Sequence, residues 1–567
     1  MSSTIVTVIL LSLAVVILFA TSIASARKAK RAIKRRIVES WAKDPSERYK
    51  EEELQSISSY FINRKNEQKS TFTIDDVTWH DLDMDEVFIR LNNTGSTPGE
   101  ETLYRLLREP SFVPETLTRR QKLIEFIQSH RSDRVAIQTI LARLGKKRLI
   151  NVTDYFFHAS PRQPWKAMLY RLLSILALLA PLFLFFNTGL GVLLILVSLV
   201  TNMIVYYNAR SEIGLDLGIL SYVVRVVRCM REIINARIAG LGELNGTLAT
   251  CFSQIKTIER RTFFLFFIST GSLADILTEY IKIILLRELI EYEYLLKVTF
   301  EHRHELMEVY EAIGLIDSLI SVASYRESVP FYVTPNLVKQ AAGGGNYLGF
   351  QDSYHPLLKD PVLNSLSMHG PLLVTGSNAS GKSTFLKTVA INAIFAQSIC
   401  TCLAREYSSC FYAVFSSMAL RDSLRNGESY FIAEIKSIKR ILDYLNEKVP
   451  CLCLIDEVLR GTNTVERIAA SSQVLLHLAK HKCMCMAATH DVELTHILEK
   501  YFQNVHFQER IADNSIVFDY KLYEGRASSR NAIKLLRLMG YDDAIVTEAE
   551  RRANDFMNRG TWKEISG

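Results

Sequence analysis

The chain has 567 residues, of which 48% are hydrophobic and 22% are charged, and its formal net charge is +7. That length is enough for about three or four domains with large cores of their own. The basic excess is local, because residues 27–36, RKAKRAIKRR, hold seven basic residues and leave 60 basic against 60 acidic residues elsewhere. The composition therefore excludes a chain-wide basic field of the kind that holds nucleic acid, and any such contact must be a local patch.

The first 26 residues predict a membrane anchor. Residues 1–26 carry no charged side chain, and the mostly apolar run at 5–24 is long enough to cross roughly 30 Å of hydrocarbon. A cleaved signal peptide is the alternative, since Ala24-Ser25-Ala26 resembles a cleavage site, but its positive charge would precede the apolar run instead of following it. The basic residues after the run place the N-terminus outside and the following residues in the cytoplasm.

A second apolar block, at 167–207, predicts two membrane-spanning helices. Residues 172–209 are 38 consecutive uncharged positions, which is too long for one span and about right for two. Asn187-Thr188-Gly189 supplies the turn, and flanking basic residues keep both ends of the block in the cytoplasm. A buried hairpin in a soluble core is the alternative. The expected protein thus has three spans in a cell membrane, of bacterial plasma-membrane type.

The other residues before 330 are expected to form long helices. Residues 37–165 are mostly helix-forming, and 208–325 contain no proline and few turn signals, which favours struts over a compact globule. Within the second range, 263–286 is apolar but is interrupted by three charged residues. That spacing predicts an amphipathic core helix and not a further span.

Nine cysteines include three C-x-C pairs, at positions 400 and 402, 451 and 453, and 483 and 485. Zinc sites usually combine C-x₂-C with a second pair at a fixed distance, and that pattern is missing from the sequence. The last two pairs lie in apolar runs that are typical of strands. They therefore predict buried free thiols in a reducing cytosol.

Beyond the AAGGG segment at 341–345, short strand-like runs alternate with helical patterns. The strand-like runs are GPLLVT, CLCLIDE and CMCMAATH. This alternation predicts an α/β domain with a mainly parallel sheet and flanking helices.

The segment GSNASGKS, at 376–383, matches the phosphate-binding pattern G-x-x-x-x-G-K-[ST], directly after a strand and at the start of a helix. Its glycines let backbone N–H groups face phosphate oxygens. Lys382 is expected to reach the β- and γ-phosphates of ATP, and Ser383 to hold Mg²⁺ through its hydroxyl. The expected nucleotide-binding residues are Gly376, Ser377, Asn378, Ala379, Ser380, Gly381, Lys382, Ser383 and Thr384.

Two further strand ends carry polar residues that suit an ATPase. CLCLIDE ends in Asp456, expected to bind Mg²⁺, and Glu457, expected to polarise the attacking water. CMCMAATH ends in His490, placed to sense the γ-phosphate. Solvated carboxylates and a surface histidine are the alternative for each residue alone. Together with Lys382, Glu457 and His490 form the predicted catalytic set.

The order of these motifs resembles the MutS family of DNA mismatch-repair ATPases, which are related to ABC-type ATPases. YHPLL at 354–358 and the phosphate-binding stretch are similar to family segments, GESYFIAE matches G-x-S-T-F-x-x-E, and DEVLRGTNT matches D-E-x-G-R-G-T-S-T. ATHDVELT matches A-T-H-x-x-E-L-T, and 505–525 resembles the closing strand pair. The segments 81–110 and 310–328 resemble, more loosely, parts of the helical core and lever region.

The resemblance implies a homodimer in which Ser429, from NGESYFIAEI, completes the nucleotide site of the partner subunit. The membrane hairpin is a departure from the family pattern, because it is inserted within the lever region, between the two segments that resemble it. The expected domains are an anchor (1–26), a cytosolic helical region (27–165), the hairpin (166–207), a long-helix lever region (208–330) and an ATPase domain with C-terminal dimerisation helices (331–567).

Departures from the family pattern leave the phosphate chemistry intact, with Ser377 for the usual Pro, Tyr430 for Thr, Leu459 for Gly and Asn463 for Ser. The mismatch-reading domain with its F-x-E wedge is not expected, because FQE at 507–509 lies inside the ATPase domain. Mismatch specificity is therefore not expected to follow from the resemblance.

Two functions remain open for the whole chain. The first is a membrane-tethered ATPase whose levers bind DNA, with mismatch-repair-like or branched-DNA processing as its role. Candidate DNA contacts are Lys146, Lys147, Arg148, Arg225, Arg228 and Arg231. The second is a mechanical ATPase that acts on the membrane and binds no DNA. The basic segment at 27–36 favours contact with anionic membrane lipid, with DNA as the alternative. Tyr354 and His355 are candidates for stacking on adenine.

Overall fold

The structure is a computed structural model of the chain. It describes residues 24, 27–45, 47–67, 72–149, 152–153, 164–260, 262, 273–338, 345–377, 379–418, 430–481, 483–512, 515–527, 533, 536–537, 539–562 and 564. The chain divides into two compact units. The helical unit is Met1–Ser70, Leu91–Leu106 and Arg120–Ser328, and the α/β unit is Thr71–Arg90, Leu107–Arg119 and Val329–Gly567.

The α/β unit is built on a six-stranded sheet in the order β10-β9-β4-β8-β7-β6. Its strands are β4 (Leu372–Thr375), β6 (Ala413–Ser417), β7 (Cys451–Asp456), β8 (Cys483–Thr489), β9 (Gln503–Ala512) and β10 (Ser515–Glu524). All neighbours run parallel except the β9–β10 pair. The predicted mainly parallel sheet is therefore confirmed. Flanking helices of this unit are Lys382–Ser398, Tyr430–Tyr444, Thr464–Lys480, Val492–Ile497 and Asp543–Arg559.

A second, mixed sheet of four strands was not predicted from the sequence. Its order is β1-β5-β2-β3. The strands are β1 (Asn336–Val338), β2 (Leu348–Ser353), β3 (Asn364–Met368) and β5 (Glu406–Cys410). Two short helices from much earlier in the chain, Asp76–Asp81 and Met84–Leu91, also pack in the α/β unit, apart from the last residue. Sequence periodicity gave no signal for this long-range packing.

The cysteine pairs of β7 and β8 lie side by side in the core of the six-stranded sheet. Cys451 is in register with Cys483, and Cys453 with Cys485. The sulfur atoms of Cys453 and Cys483 are 3.3 Å apart, well beyond the length of a disulfide bond. All nine cysteines are buried and free, and the described residues contain no cluster of ligands that could hold a metal ion.

The helical unit contains long helices, as the sequence predicts. The helices before residue 330, beyond the two already named, are Glu51–Glu67, Thr97–Arg108, Pro114–Ser129, Arg131–Leu144, Pro164–Leu179, Thr188–Ala236, Gly242–Ile255, Thr257–Arg260, Leu273–Ile284, Arg287–Glu301 and Arg303–Ser328. The longest, Thr188–Ala236, has 49 residues and is about 74 Å long at the usual rise per residue.

Two described helices are long and apolar enough to cross a membrane, Trp165–Phe185 and Thr188–Gly214. Only 17% and 11% of their most apolar windows are buried in the protein, so the soluble-core alternative fits them poorly. Asn187 forms the turn, and its side chain accepts a hydrogen bond from the N–H of Leu190. The first predicted span, at 5–24, lies outside the described residues, so the count of three stays a prediction.

The apolar stretch at 263–286 is only partly described. Residues 273–284 form an amphipathic helix as predicted. The prediction that this helix belongs to a core holds for Ile283, which packs against a buried cluster, and fails for Tyr280 and Ile281, which are 61% and 41% exposed. The helix packs along one side of Thr188–Ala236 and leaves these two apolar side chains uncovered.

Burial of the thiols predicts that they are unreactive in the folded protein. A thiol reagent such as a chromogenic aryl disulfide needs an accessible thiolate, and burial raises the pKa of Cys229 and Cys451. We expect fewer than one reactive thiol per native chain and nine after denaturation in urea. Fast labelling of several thiols in the native protein would contradict the burial of these residues.

Candidate nucleotide site

The sheet order brings three predicted strand ends to one edge. Strand β8 lies between β4 and β7, and the three run parallel. Because carboxyl ends of parallel strands meet at one edge, the loop after β4, the acids after β7 and the histidine after β8 converge there. The helix Lys382–Ser398 begins at the same edge, so its N-terminus faces the cavity.

The phosphate-binding loop needs its two glycines. Gly376 and Gly381 have φ of +147° and +102°, which residues with a Cβ rarely adopt. A Cβ at Gly376 would lie 2.9 Å from the carbonyl oxygen of Phe507. Ala379 also has a positive φ, +66°. Ser380 is 1% exposed, and its hydroxyl has no partner among the described residues. Asn378 lies outside the described residues.

The side chain of Lys382 folds over the loop instead of pointing into solvent. Its Nζ donates to the carbonyl oxygens of Gly376 at 2.7 Å and Ser377 at 2.8 Å. Burial lowers the pKa of Lys382, an effect that the nearby carboxylates of Glu457 and Asp456 oppose. The ammonium group is therefore held, partly desolvated, at the mouth of a loop whose shape suits a phosphate.

The two residues predicted to hold Mg²⁺ are in contact. Ser383 Oγ donates to Asp456 Oδ2 at 2.5 Å. Asp456 is 6% exposed, and its other carboxylate oxygen has no hydrogen-bond partner among the described residues. A hydroxyl beside a buried carboxylate oxygen that lacks a partner is the donor set that Mg²⁺ takes in nucleotide sites, so the residues fit this ion. The side chains of Ser383 and Thr384 line the adjacent cavity.

Glu457 lies beside Lys382 and has two partners. One carboxylate oxygen is 3.1 Å from His490 Nδ1, and the other pairs with the guanidinium of Arg460. Burial would raise the pKa of Glu457, but the hydrogen bond with His490 and the charge of Arg460 outweigh it, so the pKa is lowered. Glu457 is thus an ionised group at the cavity wall. The same hydrogen bond raises the pKa of His490.

The turn that carries Arg460 was missed by sequence reasoning. Leu459 has φ +60° and is 8% exposed, which explains why a glycine is usual in the resembling motif. The backbone N–H of Arg460 donates to Glu434 Oε1 at 3.2 Å. Burial raises the pKa of Glu434, which is 7% exposed. Glu434 is the last residue of GESYFIAE, so this stretch is joined to the turn after β7.

The end of β6, which leads towards Ser429, is held by the short helix Asp76–Asp81. The carboxylate of Asp81 accepts from Ser416 Oγ at 2.7 Å and from the N–H of Met418 at 3.0 Å. Arg440, on the helix that starts at Tyr430, donates to the carbonyl oxygen of Ser416. Ser429 itself lies outside the described residues, so its predicted role is untested.

A cavity of roughly 790 Å³ opens beside the loop. Tyr354 and His355 line it, but Tyr354 is 5% exposed and its hydroxyl donates to Phe331 O at 2.6 Å. Burial lowers the pKa of His355 to about 4. Tyr354 is therefore part of the wall and not a free stacking surface. Tyr520 also lines the cavity and is 46% exposed, so it suits stacking on a base better.

The position of Tyr520 is set by a local irregularity. The pairing of β9 and β10 shifts register between Phe518 and Leu522, and Tyr520 has φ +54°. Asn364 donates to the carbonyl oxygen of Tyr520 at 3.0 Å and accepts from the N–H of Leu522 at 2.8 Å. An aromatic residue in a strand gave no sequence signal for this role, because the bulge that turns it is a tertiary feature.

Ser377, which replaces the proline usual in the resembling motif, forms a further contact in the phosphate-binding loop. Ser377 Oγ donates to Glu509 Oε2 at 2.9 Å. Glu509 belongs to the FQE segment, which lies on β9 inside the α/β unit, as predicted. The loop is thereby fastened to β9 by a side-chain bond that proline could not make.

Comparison with known proteins matches residues 372–557 to MutS domain V, an ATPase domain. The chain is 32% identical over 274 residues to MutS protein homolog 4 of Mus musculus, covering 45% of this chain and 28% of that protein. It is 29% identical over 260 residues to the DNA mismatch repair protein MutS of Thermotoga maritima, covering 44% of this chain and 32% of that protein. The matched part is thus less than a third of the length of these relatives.

Replacing Glu457 by Gln is expected to separate binding from hydrolysis. The amide keeps the size of the side chain but loses the charge that polarises water. We expect ATP affinity close to that of the original protein and a kcat lower by roughly 10²–10⁴, the range for a lost general base. Equilibrium binding of labelled ATP and steady-state phosphate release measure both. The variant should also accumulate as a dimer with ATP and Mg²⁺, and a monomer by light scattering would contradict this.

The contact between His490 and Glu457 predicts a pH-dependent stability. Since the pKa of His490 is raised above its ordinary value of 6.5, its stabilising effect is complete below that pH and is lost as pH rises through the raised pKa. We expect His490→Asn to lower the Tm of the nucleotide-free protein at pH 6 and progressively less at higher pH. The exposed His496 provides the control substitution. A Tm difference that does not vary with pH would contradict the assignment.

Proposed function

We propose that the chain is a member of the MutS family through its ATPase domain, and that it is a membrane-held ATP hydrolase that works as a homodimer and binds DNA. The observation that carries the ATPase part is the convergence of Lys382, Ser383, Asp456, Glu457 and His490 at one edge of the sheet. Separate strands contribute these residues, and a set of unrelated surface polar groups would not meet in this way.

In the proposed reaction the loop and Lys382 bind the β- and γ-phosphates. Ser383 and Asp456 would hold Mg²⁺, which neutralises phosphate charge when bound. Glu457 orients and polarises the attacking water, and His490 stays within reach of the γ-phosphate. Because the guanidinium of Arg460 pairs with the carboxylate of Glu457, Arg460 must release Glu457 before Glu457 can act on water.

The dimer is proposed from the signature stretch. By resemblance, Ser429 of one subunit reaches the nucleotide of the other, so that each complete site needs two chains. The bond between Glu434 and the N–H of Arg460 supports this, since it links the helix that follows Ser429 to the turn beside Glu457. Closure of the dimer would then act directly on the turn beside the Glu457 carboxylate.

Membrane attachment is proposed from the exposed apolar surface of the helical unit. Leu193, Val200 and Ile204 on Thr188–Gly214 are 56%, 57% and 57% exposed, and such a run of uncovered apolar side chains suits lipid. The basic segment at 27–36 is exposed for the most part and is assigned to the anionic headgroups of the cytoplasmic leaflet. The ATPase domain then lies in the cytoplasm.

The DNA part of the proposal is supported by the name of one relative, the DNA mismatch repair protein MutS of Thermotoga maritima. The predicted local contacts need correction. Lys146 is 12% exposed at its side chain and pairs with Glu47 at 3.0 Å and Glu100 at 3.2 Å. Arg148 pairs with Glu47 and Glu53, each at 3.1 Å. Because these two side chains form ion pairs within the protein, they are weak candidates for binding DNA phosphate.

The other predicted DNA contacts are not on a solvated face either. Arg225, Arg228 and Arg231 are all half-buried, and the guanidinium of Arg225 lies 5.2 Å from the ring centre of Tyr222. A more open basic surface is the groove between the helix at 27–40 and Arg131–Leu144, whose lining includes Lys30, Lys34 and Arg131. Lys30 and Lys34 belong to the segment at 27–36 that is assigned to lipid.

Because Lys146 and Arg148 are held in ion pairs, they favour the second candidate function, a membrane-coupled ATPase that binds no DNA. Continuity of Thr188–Ala236 supports it as well. After Gly214 this helix enters the core of the helical unit, where Val223, Val227 and Met230 are fully buried. One unbroken helix therefore couples movement of the hairpin to movement of the core.

Steady-state ATPase activity of the full chain in lipid nanodiscs distinguishes the two candidates. Homoduplex, mismatched and branched DNA are added in turn at a fixed salt concentration, and neutral lipid is exchanged for anionic lipid in parallel. For the DNA-binding function we expect at least a twofold change with one DNA structure. A rate that responds to lipid and to none of the DNAs would exclude the DNA-binding function and support the membrane-coupled one.

Substitution of Ser429 by Ala tests the shared site. Loss of a hydroxyl that contacts the nucleotide across the dimer should lower kcat while leaving the affinity of a single chain for ATP unchanged. Ser408 provides a control serine, because it lies on β5 of the second sheet and not on the sheet that carries the nucleotide site. A kcat of the Ser429→Ala protein equal to that of the original protein would refute the shared site.

A further inference from the structure

The helices Leu273–Ile284 and Arg287–Glu301 meet in a tight turn that lies against the second membrane helix. Leu286, in the turn, has φ +46° and is fully buried. Asn202 of the second span donates through Nδ2 to the carbonyl oxygen of Ile284 at 2.6 Å. Asn202 is 1% exposed, so the span and the turn are in close contact at this level.

The depth of that contact follows from helix geometry. The hairpin turn ends at Thr188, where the second span begins, and Phe185 and Phe186 beside it are 87% and 88% exposed. Asn202 is fourteen residues further, about 21 Å along the helix axis. If the turn lies at the outer boundary of a hydrocarbon layer roughly 30 Å thick, Asn202 lies about 9 Å inside the inner boundary. The carbonyl of Ile284 lies at the same depth.

Charged residues mark where the inner boundary falls. Arg210 is about 33 Å from Thr188 by the same arithmetic. Its guanidinium pairs with Glu279 at 3.2 Å and Glu288 at 3.3 Å. Glu279 precedes the turn and Glu288 follows it. The two charged residues between them pair away from the turn, Lys282 with Glu279 and Arg287 with Glu291 at 3.8 Å. Lys282 reaches back to Glu279 at 3.3 Å, as a snorkelling lysine does.

Apolar side chains lie on both sides of the turn. Towards the spans, Leu286 and Leu289 pack with Tyr170 and Tyr206 in one buried cluster. On the other side, Tyr280 and Ile281 are 61% and 41% exposed. The exposed side chains lie between Glu279, which pairs with Arg210, and the turn at Leu286. Acyl chains begin at this depth in the proposed arrangement.

From this geometry we propose that residues 279–288 form a re-entrant element that dips into the cytoplasmic leaflet and contacts its acyl chains. The inference rests on the proposed membrane attachment of the hairpin. Its occupant is lipid because Tyr280 and Ile281 are exposed apolar side chains on a helix that packs against Thr188–Ala236, and because the ion pairs of Arg210 lie at the expected boundary. The element would make the position of two lever helices sensitive to the leaflet.

The hydrogen bond from Asn202 explains how a helix end can be tolerated at this depth. The last carbonyl groups of an α-helix have no partner within it, and in hydrocarbon each one left unpaired costs several kcal/mol. The amide of Asn202 supplies a partner to Ile284, and the N–H of Leu285 donates to Ile281 O at 3.0 Å. Irregular backbone in the layer is thus buried against protein, where it is permitted.

Tryptophan quenching by brominated lipid tests the inference. Tyr280→Trp and Ile281→Trp are made in the full-length chain with Trp165→Phe, which removes the native tryptophan nearest the spans. Each protein is reconstituted in vesicles whose acyl chains carry bromine near the headgroup or near the bilayer centre. Val200→Trp is the control for the span, and Tyr501→Trp, 46% exposed in the α/β unit, is the control for solvent.

The inference predicts that both tryptophans at 280 and 281 lose emission with the shallow bromine, and less with the deep one, while that at 501 loses none. Quenching at 200 without quenching at 280 or 281 would overturn the re-entrant element and leave the membrane attachment intact. Quenching at none of the three would overturn the attachment as well. Steady-state ATPase rates equal to that of the Trp165→Phe parent show that each variant is folded.

Replacement of Asn202 provides a second test that does not depend on a new tryptophan. Asn202→Leu removes the partner of Ile284 O without adding charge to the span. We expect the Asn202→Leu, Ile281→Trp protein to show less quenching by the shallow bromine than the Ile281→Trp protein, because the turn separates from the helix. Equal quenching in the two proteins would mean that Asn202 does not hold the element at this depth. Ser198→Leu, on the same helix, is the matched control.

Discussion

The hydrogen bond between Ser383 and Asp456 depends on the order of the sheet. The two residues follow β4 and β7, which are not neighbours, because β8 lies between them. A single change in strand order would separate the hydroxyl from the carboxylate and remove the oxygen pair that suits Mg²⁺. The fully buried runs of β7 and β8 therefore serve the chemistry directly, since they fix the spacing on which the site rests.

Lys382 and Glu457, the proposed nucleotide-binding and hydrolytic groups, both have partners within the protein. Lys382 donates to its own loop, and the carboxylate of Glu457 is shared by His490 and Arg460. Such pairing satisfies charges that are partly buried, and it also keeps Glu457 from water. Binding of phosphate would compete for Lys382, and rearrangement of the turn beside Leu459 would free Glu457. The left-handed φ of Leu459 makes that turn a place where strain is stored.

In the proposed topology, one helix of the helical unit joins the membrane and the cytoplasm. Thr188–Ala236 has exposed apolar side chains in its first half and a buried face in its second. A helix that continues without a break transmits rotation and translation better than a loop does. Asn202 and Arg210 attach two further helices to it at defined levels. A force on the hairpin is therefore delivered to several lever helices at once.

The sequence alone determined the phosphate-binding loop, the acids after β7, His490, the parallel sheet and the apolar hairpin, because each depends on a short run of residues or on local periodicity. Only the tertiary structure decided the partners of those residues. The bond between Glu434 and the turn after β7 and the ion pairs of Lys146 join positions far apart in sequence. A bulge sets the position of Tyr520, and Arg460 pairs with Glu457 across the turn that contains Leu459. The exposure of Tyr280 and Ile281 has the same origin. Whether an apolar face is covered depends on which helices pack against it, and no pattern within the helix records that.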